Sequence, residues 1–407
     1  MEAMTEKKIV PQLRFREFEK AWGVTKLSDL TKVYDGTHQT PKYVAQGIPF
    51  YSVEHVTANQ FEKTKFISED VFEKENKRVK LQKGDILMTR IGSIGVARII
   101  DWDVNASFYV SLALVKANQL FCSSFFAQLI HSTEFQRELW RRTIHVAFPK
   151  KINLGEFSKC VTHLPTLPEQ QKIATFLSSV DAKLQQLSKK KSLLADYKKG
   201  VMQKIFSQEL RFKDANGNKY PEWEEKKLGD VTYKVGKKNK ENIKYPIYSI
   251  NNKEGFLAQS EQFEGMDSNE RGYDISMYKI IHPNTFAYNP ARINVGSIGY
   301  SYNLNKLIIS SLYVCFQTSD ELDDLFLLSF IGTYNFNKSV LRNVEGGVRQ
   351  YLFYENFAII KVPLPSVAEQ KKIANFLSAL DVKIEKVNTQ INNTKAFKKG
   401  LLQQMFV

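Results

Sequence analysis

Cysteine is scarce in this 407-residue chain: Cys122, Cys160 and Cys315 are far apart and odd in number. That excludes a disulfide framework and leads us to expect a reducing, cytoplasmic setting. Long apolar runs are missing too. The longest, around Leu325–Ile331, falls far short of the roughly 20 residues a membrane-spanning helix requires. No signal-peptide pattern opens the chain, so no membrane association is expected. Histidine is rare, and His38, His55, His131, His145, His163 and His282 show no metal-ligand spacing with cysteine or carboxylates. Neither a Gly-x-x-x-x-Gly-Lys-Ser/Thr phosphate loop nor a Gly-x-Gly-x-x-Gly after a strand is present. The chain is therefore expected to carry no catalytic residue, no metal ligand and no cofactor of its own.

Negative charge is the other shortage. Lys and Arg number 58 against 43 Asp and Glu, a formal net charge of +15. Such an excess points to a polyanionic partner, nucleic acid before an anionic membrane surface. The length is too great for one core and suits two domains with a helical connector.

What is abundant is repetition. Leu164-Pro165-Thr166-Leu167-Pro168-Glu169-Gln170-Gln171-Lys172-Ile173 returns two hundred residues later as Leu364-Pro365-Ser366-Val367-Ala368-Glu369-Gln370-Lys371-Lys372-Ile373. Identities continue without a gap through Phe176/Phe376, Leu177/Leu377, Asp181/Asp381 and Lys198-Lys199-Gly200/Lys398-Lys399-Gly400. Both copies read as helix starts, with proline at the entry and Glu169 or Glu369 in the first turn, where the dipole favours a carboxylate. Apolar residues then follow a heptad: Ile173, Leu177, Val180, Leu184 and Leu187, and again Ile373, Leu377, Leu380, Ile384 and Val387. Lys191, Lys198, Thr394 and Lys398 interrupt the seam at core-type positions. A helix of about 40 residues is roughly 60 Å long. Since the ends of a domain usually lie together, the second helix is expected to start beside the end of the first, making the pair antiparallel. The competing reading is two ordinary domain-capping helices.

The fold class expected is α+β: two mixed domains, 1–163 and 208–363, each followed by a long repeated helix, 164–207 and 364–407. The repeat includes the domain entrances, Leu13-Arg14-Phe15 with Trp22, and Leu210-Arg211-Phe212 with Trp223. Short apolar runs predict strands over 48–56, 85–90, 96–100, 108–116, 285–288 and 307–316, and one late helix per lobe, over 124–142 and 320–334. Gly-Ser-Ile-Gly occurs at 92–95 and 296–299, each read first as a hairpin turn. Asn289-Pro290-Ala291-Arg292 resembles the Asn-Pro-Pro-Tyr of amino-methyltransferases but lacks the second proline and the aromatic, and is read as a turn.

Loops of both lobes concentrate the side chains that suit DNA. In the first these are Thr37, His38, Gln39, Lys42, Tyr43, Arg90, Ser93, Lys150 and Lys151. In the second they are Lys237, Lys238, Asn239, Lys240, Asn251, Arg292, Asn294, Ser297, Arg349 and Gln350. Arg, Asn and Gln match the hydrogen-bonding edges of guanine and adenine, while Lys neutralises phosphate. Any single cluster reads more readily as a solvated surface than as a contact; their recurrence at matching places in two basic lobes favours contact.

Two variable lobes, each followed by Leu-Pro-x-x-x-Glu-Gln-x-x-Ile opening a long helix, resemble the specificity subunit of type I restriction–modification systems. Gly84-Asp85-Ile86-Leu87 and Tyr288-Asn289-Pro290…Gly299 resemble its target-recognition domains. The resemblance implies a non-catalytic reader of a bipartite double-stranded DNA target, one half-site per lobe, with the helix pair setting the gap. It also implies two methyltransferase subunits using S-adenosylmethionine and two motor-endonuclease subunits using ATP and Mg, with Glu169, Gln170, Phe176, Glu369, Gln370, Phe376 and the heptad residues in the helix pair or its partner contacts. The alternative kept open is a single-chain DNA methyltransferase or nuclease with an unrecognised site; a structural coiled-coil adaptor is the third.

Overall fold

The computed structural model describes residues 10–252, 254–262, 265–346 and 350–407. It divides into two compact units: the chain up to Lys189 with Asn388–Val407, and Lys190–Val387.

In the first unit a four-stranded antiparallel sheet runs in the order Val33–Asp35, Leu112–Val115, Ile86–Thr89, Ala97–Ile99. A second sheet orders Lys65–Ile67, Ile48–Tyr51, Ser107–Phe108, its last pair parallel. The ribbon Gly23–Lys26 with Val161–Leu164 brings the two ends of the lobe together. The second unit repeats this plan strand for strand. Thr232–Lys234, Val314–Thr318, Phe286–Tyr288 and Ile298–Tyr300 make the antiparallel sheet. Gly255–Ala258, Ile247–Asn251 and Leu307–Ile309 make the other, with the same parallel pair, and Lys279–Ile281 is added at its edge. Glu224–Lys227 with Lys361–Leu364 closes it.

Several expected elements come out shorter. The run 48–56 is a strand only to Tyr51; Val53–Ala58 is helical, because Ser52 and His55 form a capping box that turns the chain. The runs 108–116 and 307–316 are each two strands, switching from one sheet to the other at 109–111 and 310–313. The late helix of the first lobe is two, and that of the second, expected over 320–334, is shorter and is followed by a helix not expected from the sequence. Ser123–Ile130 and Thr133–Arg142 are split where Ser132 accepts from the Phe135 N–H, and Asp324–Ile331 and Tyr334–Asn343 where Thr333 accepts from Phe336.

Both long helices are continuous, Leu167–Phe206 and Val367–Gln404. Within the first unit, Ile173, Leu177 and Val180 share one core with Leu401, Met405 and Phe406. His163, just before the first helix, bonds the Val407 carbonyl, and Asp181 further along it meets Lys398, so residue numbers fall on one chain segment as they rise on the other and this part of the pair is antiparallel. The second unit shows the same direction, with Ile205, Val201, Ile373, Leu377 and Leu380 in one core. The whole heptad series is buried or half-buried, including Leu184, Leu187, Ile384, Val387, Lys191 and Thr394. Lys198 and Lys398, two of the three seam lysines, are neutralised reciprocally. Lys398 Nζ lies 2.6 Å from Asp181 in the first unit, and Lys198 Nζ 2.6 Å from Asp381 in the second. Among the described residues no helix is long and apolar enough to cross a membrane.

Candidate nucleic-acid interface

The Glu-Gln pair of the repeat anchors each long helix to its own lobe. Glu169 is 1 % exposed and takes the Arg14 Nε at 2.7 Å and the Trp22 indole N–H at 3.3 Å. Glu369 is fully buried and takes Arg211 Nη2 at 2.9 Å and the Trp223 indole at 3.0 Å. Gln170 accepts from the Cys122 N–H at 2.9 Å and donates to the Pro165 carbonyl at 2.9 Å. Gln370 accepts from Asp323 N–H and donates to Glu321 and Pro365, each at 2.8 Å. These four side chains thus lie inside the lobes, unavailable to a separate subunit, because each satisfies backbone or charge at the start of a buried helix. Phe176 packs edge-on against Phe15 and Phe376 against Phe212, tying the helices to the lobe entrances. The recurrence of Arg14/Arg211 and Trp22/Trp223 was the available signal for this anchor.

Four DNA candidates prove to be structural. Arg90 is buried, donating to the carbonyls of Val110 at 2.8 Å and Ile152 at 3.0 Å and to Asp35 at 3.2 Å. Thr37 is buried with its hydroxyl on the Gln39 carbonyl. Asn239 closes a turn by bonding both the N–H and the carbonyl of Ile243. Ser297 is buried against the Ile250 carbonyl at 3.0 Å. An arginine or asparagine spent on backbone carbonyls has no fork left for a base edge. Arg349 lies outside the described residues. The two Gly-Ser-Ile-Gly copies are also not equivalent. The first is the hairpin turn after Ile86–Thr89, with Gly92 at φ 80° and Gly95 at φ 87°. The second enters its strand, Gly299 pairing with Ala287, because the extra turn Ile293–Val295 precedes it.

The remaining candidates gather by lobe. In the first, His38, Gln39, Lys42, Tyr43, Ser93, Lys150 and Lys151 are exposed. The Gly92 N–H donates to the Lys150 carbonyl at 2.8 Å and the Ile152 N–H to the Arg90 carbonyl at 3.0 Å, so turn 92–95 and segment 150–152 are adjacent. Asp35 binds this region to the 37–43 loop: Arg78 Nη2 donates to it at 2.6 Å, Arg90 at 3.2 Å, and His38 Nε2 lies 3.0 Å away. Burial disfavours the Asp35 carboxylate, but the Arg78 hydrogen bond and charge, with His38 and Arg90, outweigh it and hold its pKa below the usual range. A depressed carboxyl stabilises the fold above the unfolded value near ~4 and stops doing so as pH falls through the lower folded value. Asp35→Asn is therefore expected to flatten the acid limb of first-lobe unfolding, measured by thermal melts between about pH 5 and pH 2. Equal acid slopes in variant and parent would refute it.

In the second lobe Arg292, Asn294 and Gln350 are exposed and Asn251 is half-buried, its side chain accepting from Glu254 N–H at 2.7 Å. The Leu352 N–H donates to the Pro290 carbonyl at 3.0 Å, the counterpart of the Ile152–Arg90 bond. Segments 289–297 and 350–352 are thus juxtaposed as 90–95 and 150–152 are. Asn289 Oδ1 accepts from Ala291 N–H at 3.0 Å, a turn as expected. Lys237, Lys238 and Lys240 are exposed but ride elsewhere, along the edge strand Lys279–Ile281, where Lys238 pairs with Lys279. Among the described residues no group of three or more His, Cys, Asp or Glu could hold a metal ion.

The model of the family described as type I restriction modification DNA specificity domain matches residues 19–195 and 220–394, one copy per lobe-and-helix repeat. The chain belongs to that family. It is a type I restriction–modification specificity subunit, the non-catalytic component of its system. The chain is 26% identical over 402 residues to the MjaX type I restriction enzyme specificity subunit of Methanocaldococcus jannaschii, covering 93% of this chain and 92% of that one. The MjaVIII specificity subunit of the same organism is 26% identical over 251 residues, 57% of this chain and 58% of its own length. The S subunit of a type I system from M. genitalium shares the fold at TM-score 0.58 and 15% identity, over 98% and 99% of the two chains. A chain from a study of complex assembly and conformational transition of the type I system does so at 0.52 and 13%, over 94% and 96%. The specificity subunit described here therefore keeps this fold at very low sequence identity.

Proposed function

We propose that this specificity subunit reads a bipartite duplex sequence, one block per lobe, with the length of the paired helices setting the gap. The observation that carries this reading is the duplicated topology: the same strand order in both lobes apart from one added edge strand in the second, with different side chains on the matching exposed segments. One architecture built twice on unlike surfaces is what two unlike half-sites require. The base-reading groups in this reading are Gln39, Tyr43 and Ser93 in the first lobe and Asn251, Arg292, Asn294 and Gln350 in the second. Lys42, Lys150, Lys151, Lys237, Lys238 and Lys240 neutralise phosphate, with Arg349 assigned to the second lobe on sequence alone. Two equivalent helix repeats offer two equivalent seats, so two methyltransferase subunits bind, supplying S-adenosylmethionine chemistry. Two ATP- and Mg-dependent motor-endonuclease subunits complete the cytoplasmic assembly.

Mapping modified bases in the assembled complex tests the reading; a single contiguous methylated motif would count against it. Binding should fall steeply with salt. Arg292→Ala is expected to cost about 1–3 kcal/mol and to relax preference in one block alone, whereas Lys238→Ala should weaken all duplexes alike and reduce the salt slope by about one. Selection from a randomised duplex pool reads both effects, and loss of preference in both blocks from Arg292→Ala would contradict the assignment of lobes to half-sites.

A further inference from the structure

The loop between Ile144 and Lys151 carries an apolar tip that no interior claims. Val146 and Phe148 are 96% and 104% exposed, the latter as open to water as an isolated side chain. An exposed phenylalanine is ordinarily costly only in solubility, but this one stands on a built support. The Ile144 N–H donates to the Lys151 carbonyl at 2.8 Å, closing the loop at its root. The His145 ring lies 4.0 Å from the Trp140 ring, its Nε2 2.9 Å from the Trp140 carbonyl, and Lys150 Nζ sits 5.1 Å over the same indole. The tip is thus held out from the lobe rather than folded onto it.

Its surroundings select the occupant. Lys150 and Lys151, two and three residues on from Phe148, are exposed, and the Lys150 carbonyl accepts from the Gly92 N–H in the turn that carries Ser93. An apolar protein partner would have to desolvate these cations; a polyanion would gain from them. A bare aromatic two residues before a pair of exposed lysines, on a loop bonded to the Ser93 turn, has the chemistry of a wedge that enters the minor groove and unstacks a base step. The second lobe has no aromatic at the corresponding stretch, which reads Glu345-Gly346-Gly347-Val348-Arg349-Gln350.

We infer that Phe148, backed by Val146, inserts between base pairs of duplex DNA and bends the half-site read by the first lobe. This rests on the DNA-reading assignment above and adds an asymmetry to it: one block is deformed by an intercalating ring, the other is not. The inserted ring favours a flexible pyrimidine–purine step, where unstacking is least costly.

The test uses the full-length chain and duplexes it selects from a randomised pool, labelled at both ends for energy transfer and carrying 2-aminopurine through the first block. Phe148→Ala is expected to weaken binding about ten-fold, the order of one lost aromatic–base stack, and to abolish both the end-to-end transfer change and the 2-aminopurine signal. Phe148→Trp should restore the bend. Because the ring is fully exposed, truncation leaves the fold intact, and an unchanged melting temperature checks this. Wild-type bending and fluorescence in Phe148→Ala overturns the wedge while leaving the split-site reading standing. Normal DNA binding by Phe148→Ala combined with failure to assemble with methyltransferase subunits also overturns it, and makes the tip a protein contact. If the wild-type chain selects no sequence at all, both the reading and the wedge fall.

Discussion

Glu369→Ala is expected to destabilise the second unit by about 3 kcal/mol, with a clear loss in its unfolding midpoint in urea. The carboxylate is fully buried and answers two groups, the Arg211 guanidinium at 2.9 Å and the Trp223 indole at 3.0 Å. Removing it leaves the half-buried Arg211 guanidinium with only Glu222 at 3.3 Å and the Tyr220 and Pro221 carbonyls, and takes the acceptor from the Trp223 indole N–H, so breaking the pair costs more than the pair was worth. It also unpins the first turn of a 38-residue helix, Val367–Gln404, whose opening residues Ile373, Ala374 and Leu377 lie in the same core. Restoring balance by removing the cation too, in Arg211→Met with Glu369→Leu, should recover most of the loss. An unfolding midpoint for Glu369→Ala equal to the parent would mean that the anchor is ornamental. The first unit offers an internal comparison: Glu169→Ala should act the same way there through Arg14 and Trp22, since the geometry is repeated.

Lengthening both long helices by seven residues, after Lys189 and after Thr389, should widen the gap between the two DNA blocks by about three base pairs. Seven residues add about 10.5 Å at 1.5 Å each, against 3.4 Å per base pair. Seven is chosen because it preserves the heptad phase on each helix, so the seam of buried and half-buried positions from Ile173 to Ile205 and Ile373 to Met405 stays continuous. The reciprocal bonds Lys398–Asp181 and Lys198–Asp381 lie outside the inserted segment and should persist. A four-residue insertion breaks the phase and is expected to lower stability instead. Methylation mapping with the lengthened chain reads the gap directly. Both blocks should keep their bases, since no lobe residue changes; an unaltered gap would sink the ruler role of the helices.

Each level of organisation was legible to a different depth. Repetition exposed the two lobes, the two helices and their seam, because a helix buried along one stripe must repeat every three or four residues, and Ile173 to Leu187 do so without exception. Antiparallel packing followed from connectivity, and the cores joining Val180 to Leu401 and Ile205 to Ile373 agree. Chain composition likewise excluded a disulfide scaffold. Contact residues were far less legible. Arg90 and Arg292 look alike in sequence, each near a Gly-Ser-Ile-Gly, yet one is spent on carbonyls in the interior and the other is exposed.

The sequence by itself determined the duplicated plan, the heptad pairing and the basic character, all of which depend on spacing and sums that survive without coordinates. Tertiary structure alone decided which polar side chains are free. Whether Glu169, Arg90 or Ser297 meets water depends on which distant groups fold against it, and those partners lie up to 155 residues away along the chain. Only folding brings Arg14 to Glu169 or sets Phe148 out bare, because burial is a property of three-dimensional neighbours and not of sequence neighbours.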